Sequence, residues 1–188
     1  EPGTTTELNL ADYFRAKGMS FEPVVIENIN ETTAAFFAGR CDVYTTDASG
    51  LASVRQTMAP NPDDYVILPE IISKEPLGPS VAQGDDQWAD LVRWSLMAMV
   101  EAEELGVNSE NVDDMKKSEN PSIQRLLGVS PGMGEALGVD EEWAYRIIKQ
   151  VGNYGESYKA NVTAKLGLER GLNALWTDGG LQYAMPVR

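Results

Sequence analysis

Apolar positions first fall at helical spacing, at Leu8, Ala11 and Phe14 with Leu10 beside them, and predict a helix over Thr5–Lys17 that Gly18 ends. The pattern then switches period. "FEPVVIE" (Phe21–Glu27) reads as a strand with Pro23 near its start. Asn30–Arg40 reads as a short helix with Asn30 as cap and Gly39 as stop. "CDVYTTD" (Cys41–Asp47) is rich in β-formers, Ala48–Met58 is helical, and "DYVILPE" (Asp64–Glu70) is another strand. This alternation implies an α/β fold with a mainly parallel sheet and helices on its faces. Crossovers in such sheets are right-handed, and ligands collect beyond the carboxyl ends of the strands. Asp47 stands at the end of its strand, and the first helix should open on the same edge.

After "KEPLGPSVAQ" the patterning becomes helical. Asp85–Leu105 reads as a long helix with Trp88, Leu91, Val92, Ser95, Leu96 and Met99 on a broad inner face and Gly106 at its end. Shorter helical pieces follow: Asn120–Gly128, with Asn120 as cap and Pro121 in first position, then Asp140–Gly152 and Glu169–Trp176. Only "PSVAQ" (Pro79–Gln83) reads as extended in this α-rich portion.

Thr4 and Glu7 stand at capping-box spacing, with the Thr4 hydroxyl on the Glu7 N–H and the Glu7 carboxylate turned back to the Thr4 N–H. The N–H groups of Thr5 and Thr6 are then left at the positive end of the helix dipole, a ready seat for an anion. The same residues also fit a capped surface helix with solvated threonines. Asp47 likewise has two readings: a ligand carboxylate, or an N-cap in competition with Ser49.

Composition narrows the classes. The chain has 188 residues, 15 basic and 29 acidic, for a net charge of −14. Such a charge opposes nucleic acid and anionic membrane surfaces, and no apolar run approaches the roughly 18 residues of a spanning helix. Histidine is absent and Cys41 is the sole cysteine, which excludes a His/Cys metal site and any triad with a histidine base. No cofactor or metal is expected. "SPGMGEALG" lacks a phosphate-loop lysine, and the runs "DD" and "EAEE" read as solvated faces. Trp88, Trp94, Trp143 and Trp176 fall at helical positions expected in the core or at a lobe contact.

"GTTTELNLADYF", "FFAGRCDVYTTDASGL", "NPDDYVILPEIISKEPLGPSV" and "IIKQVGNYGESY" together resemble the periplasmic solute-binding proteins of polar amino-acid ABC transporters, most nearly the general L-amino-acid-binding group. The tail from "NPSIQRLLG" to "ALWTDGGLQYAMP" is the part most specific to that group. The resemblance implies a periplasmic-binding-protein-like (type II) lobe over residues 1–75 with its first strand missing. A return crossing over 76–84 follows, with a hinge near Pro76–Pro79, and then an α-helical part over 85–188 that packs on a first lobe mostly absent from this chain.

The resemblance also implies a function: capture of a free L-amino acid in the periplasm and delivery to an inner-membrane permease, with no bond made or broken and no insertion into the membrane. It assigns the ligand carboxylate to Thr5 and the backbone of Thr6, and the ligand ammonium to Asp47; Thr46 is a further candidate for the cleft. Arg40 and Asp42 read as structural. Cys41 is expected to be free here because the cysteine that pairs with it in close relatives lies on the missing strand. Rival readings are a dehydratase-like enzyme on the same scaffold, with Glu7 or Glu70 as general acid, and the ligand-sensing domain of a receptor.

Overall fold

Three helices joined by non-helical stretches make up the N-terminal part of the chain, in a computed structural model that describes residues 1–74 and 76–187. Glu75, at the boundary of the expected crossing, and Arg188 lie outside the described residues. Helix α1 spans Thr5–Ala16, α2 Ile29–Phe37 and α3 Ala48–Met58. Glycines end the first two as expected: Gly18 and Gly39 take φ of 65° and 73°. The cap of α2 is Asn28 rather than Asn30; its Oδ1 accepts from the N–H groups of Asn30 and Glu31, so the cap lies two residues earlier than the pattern suggested.

The parallel sheet expected from the sequence is not formed among the described residues. No backbone hydrogen bond joins the segments 21–27, 41–47 and 64–70 to one another, and Asp64 closes a 3-10 turn (Pro62–Asp64). A ladder needs neighbouring strands about 4.8 Å apart that exchange backbone hydrogen bonds, and these segments exchange none. Helix α2 touches all three instead. The Thr32 hydroxyl donates to the Ile26 carbonyl at 3.4 Å, and Phe36 packs on Tyr44 and Tyr65 at ring separations of 5.9 and 5.6 Å. Burial here is thin, limited to Thr33, Ala35, Ala52 and Val54, while Val24, Val43, Val66 and Leu68 are exposed.

Contacts divide the chain into two compact units, Glu1–Leu77 with Leu166–Leu168, and Gly78–Lys165 with the chain from Glu169 onward. The second unit is helical and has the larger core. Its spine is α4 (Asp86–Glu104), started by the Asp85 carboxylate on the Trp88 N–H at 3.1 Å. Around it lie α5 (Val112–Met115), α6 (Pro121–Leu126), α7 (Met133–Leu137), α8 (Trp143–Val151) and α9 (Tyr154–Tyr158), which runs through a π-helical turn (Lys159–Thr163) into α10 (Ala164–Leu166). Ala98 and Ala102 let α4 approach Leu126, Leu127, Trp143 and Ile148 closely, and each such large side chain contributes about 1.5–3 kcal/mol on full burial. A second face of α4 carries Val100 against Leu175 and Ala184 of the tail.

The four tryptophans divide. Trp143 is buried and Trp94 packs on the core, whereas Trp88 and Trp176 are each more than half exposed and so lie outside the core. The helix expected over Glu169–Trp176 is replaced by two 3-10 turns, Gly171–Asn173 and Trp176–Asp178. Here the Arg170 guanidinium takes the Asn173 carbonyl, and Leu175 forms an isolated parallel bridge with Gln182.

Candidate functional site

Helix α1 begins much as its sequence dictates. Thr4 is the N-cap, and its Oγ1 accepts from the Glu7 N–H at 3.3 Å and donates to the Glu1 carbonyl at 2.9 Å. The return half of the box differs from expectation: Glu7 Oε2 accepts from Gly3 at 2.6 Å, one residue before the cap. Gly3 adopts φ 70°, and this left-handed turn swings its own N–H onto the carboxylate. Glu7 is therefore occupied in the leading turn. Among the described residues no acceptor engages the N–H groups of Thr5 and Thr6; Thr5 is exposed and Thr6 half-buried.

Helix α3 opens differently. Asp47 occupies the N-cap position with φ −56° and ψ 148°, yet its carboxylate caps nothing. Its carbonyl accepts from the Leu51 N–H at 2.8 Å, so the helix is wound from the backbone and the side chain is left over. Ser49, the competing cap, lies inside the helix. Thr46, one residue earlier, folds onto the first turn, where a Cβ at Gly50 would stand 3.0 Å from its Cγ2. Both Thr46 and Asp47 are half-buried, and among the described residues neither side chain makes a hydrogen bond or ion pair.

The structure thus brings Thr46 and Asp47 together at one helix start and Thr5 and Thr6 at another. No hydrogen bond or ion pair joins the two pairs among the described residues. Burial raises the Tyr44 phenol above its ordinary pKa, and the Glu1 carboxylate raises it further. Glu1 is tied to Thr4 of α1, and Tyr44 lies two residues before Thr46. Cys41 is half-buried and free. Glu70 is exposed.

Two depressions in the second unit went unread in the sequence. One, of about 280 Å³, is lined by Gln87, Asp90 and Glu135–Gly138. The other, of about 510 Å³, lies between α4 and α8, with Trp88, Leu91, Trp143 and Ile147 among its walls. Their signal is the apolar stripe of α4, whose Trp88, Leu91 and Ser95 line the larger one. Among the described residues no group of three or more acidic or cysteine side chains is arranged to hold a metal ion, and no helix is long and apolar enough to cross a membrane.

No family model matches the chain. Individual relatives do. The general L-amino acid-binding periplasmic protein AapJ of Rhizobium johnstonii is 57% identical over 192 residues, covering 100% of this chain and 56% of that protein. The glutamate/glutamine/aspartate/asparagine-binding protein BztA of Rhodobacter capsulatus is 55% identical over 191 residues with the same coverage. An ABC-transporter periplasmic binding protein from Brucella ovis, solved with glutathione bound, superposes with a TM-score of 0.92 at 56% identity, covering 100% of this chain and 59% of that one. The chain spans about 56% of the length of the curated relatives it matches. Over its whole length, the chain is homologous to the periplasmic amino-acid-binding proteins of ABC transporters.

Proposed function

We propose that this chain carries part of the ligand cleft of a periplasmic L-amino-acid receptor that delivers its ligand to an inner-membrane ABC permease. The α-carboxylate is received at the start of α1, by the Thr5 hydroxyl and the N–H groups of Thr5 and Thr6. The α-ammonium is received by Asp47, with Thr46 beside it. The observation that carries this reading is Asp47 itself, an N-cap whose carboxylate caps nothing. A half-buried carboxylate without a partner is suited to a cation that arrives from solution, and a charge-assisted hydrogen bond in such a place is worth about 1.5–3 kcal/mol. In this reading the starts of α1 and α3 form two walls of one cleft.

The names of the relatives support the ligand class. One is a general L-amino acid-binding protein and another binds acidic amino acids and their amides. Glutathione, bound in the Brucella ovis protein, carries a free α-ammonium and α-carboxylate at its glutamyl end. In the longer protein the segments 21–27, 41–47 and 64–70 are strands of the parallel sheet of one lobe. Residues 76–84 form a return crossing, and the helical remainder packs on the other lobe. Ligand favours the closed form because it contacts both lobes only there.

Isothermal titration calorimetry of the full-length protein with L-glutamate, L-glutamine and glutathione tests the reading. Saturable binding of at least one, with the ligand recovered unchanged, is the expected result. Turnover of the ligand, or no heat with any common L-amino acid, overturns it.

A further inference from the structure

Gly50 occupies the third position of α3, where the backbone is helical and its φ lies outside the left-handed region. Nothing in the backbone therefore asks for glycine, and alanine is the better helix former. What glycine provides is space. A Cβ at this position would lie 3.0 Å from Thr46 Cγ2, 3.5 Å from its Oγ1 and 3.9 Å from its Cβ, and all three of these contacts are with Thr46. Thr46 precedes the N-cap, so its orientation is set by what it meets on the first turn. Among the described residues its hydroxyl makes no hydrogen bond.

We propose that Gly50 is a positioning residue for ligand binding: by lacking a Cβ it lets Thr46 lie over the first turn of α3, and so sets where the Thr46 hydroxyl stands at the helix start that Asp47 occupies. This rests on the receptor reading above, in which Asp47 holds the ligand ammonium. A methyl group at 50 pushes Thr46 Cγ2 by a few tenths of an ångström or turns the side chain about χ1, and a β-branched side chain has few alternative rotamers to take up. The hydroxyl is displaced in either case. Stability and binding should therefore respond in opposite directions, a signature that a purely structural glycine does not produce.

The test is calorimetry and thermal melting of the full-length protein with L-glutamate and L-glutamine, on wild type, Gly50→Ala, Thr46→Ser, the double variant and Asp47→Asn. Gly50→Ala is expected to melt at or above the wild-type temperature while its affinity falls about tenfold, the scale of one misdirected hydrogen bond to a charged ligand. Thr46→Ser removes the Cγ2 that the new methyl meets, so Gly50→Ala should change affinity less than about twofold in that background, within the usual additivity error. Unchanged affinity in Gly50→Ala, or an equal loss in both backgrounds, overturns the proposal. If Asp47→Asn still weakens binding in that case, the receptor reading stands without it. If the wild type gives no heat with these two or with any other common L-amino acid, both fall.

Discussion

Arg170 and Glu103 meet as a two-pronged ion pair within the second unit: Arg170 Nη1 donates to Glu103 Oε1, and Nη2 donates to Oε2 at 3.2 Å. Their side chains are 24% and 17% exposed, so water screens the pair less than at an open surface. The guanidinium also donates to the Asn173 carbonyl and lies over the rings of Tyr154 and Tyr158 at 5.3 and 5.8 Å. One side chain thus fastens the start of the tail to α4 and α9. Arg170→Lys keeps the charge but loses the fork, and should destabilise the unit by about 1.5–3 kcal/mol, measured by urea unfolding. A variant that unfolds at the wild-type midpoint would show the clasp to be incidental.

Asp47→Asn separates capping from binding. Asp-to-Ala changes at a working N-cap cost about 1 kcal/mol, but this carboxylate caps nothing, so stability should be unchanged. Affinity of the full-length protein for L-glutamine should fall about tenfold or more, because the ligand ammonium would lose its counter-charge. A drop in melting temperature with intact binding would reverse the assignment.

Thr4 and Thr5 should show the opposite division of labour. Thr4 Oγ1 accepts from the Glu7 N–H, so Thr4→Ala should cost about 1 kcal/mol of stability. Thr5 is exposed and its hydroxyl serves no cap, so Thr5→Ala should leave the melting temperature within a degree or two of wild type, as surface changes do, while weakening ligand binding. Melting and calorimetry on both variants check the pair.

Local chemistry explains how far the sequence was legible. The start of α1 was readable because Thr4 and Glu7 act within one turn. The termini of α4 were readable because Asp85 and Gly106 mark them. The sheet that patterning predicts is not formed among the described residues, because a ladder depends on a neighbour that local patterning does not specify. Helix α7 was missed because glycines flank it and its support comes from a distance. Glu141 accepts from the N–H groups of Gly132, Gly134 and Glu135, and these bonds hold its carboxyl below the ordinary range. Helix α9 had a signal that went unread, Asn153 and Glu156 at capping-box spacing. At the candidate site Thr5, Thr6, Thr46 and Asp47 could be named from the sequence, but the contact between Thr46 and Gly50 required coordinates.

Glu156 should make the second unit sensitive to acid. Burial pushes its carboxyl upward, but hydrogen bonds outweigh this and hold it below the ordinary glutamate value. The Ser109 hydroxyl donates to Oε1 at 2.6 Å, and the Asn153 and Ser109 N–H groups donate to Oε2 at 2.8 and 3.1 Å. All three favour the ionised form. Because the folded-state pKa is depressed, the stabilisation is fully present above the unfolded value, near pH 4.3, and is lost as pH falls through the lower folded value. Glu156→Gln cannot titrate and offers one amide oxygen in place of two carboxylate oxygens. It should cost about 1 kcal/mol at neutral pH, and the cost should shrink as both proteins are taken below about pH 4. Urea unfolding of the two proteins between about pH 7 and pH 3, a range that brackets the ordinary glutamate value, measures the difference. A gap between wild type and variant that stays constant across that range would place the acid sensitivity elsewhere.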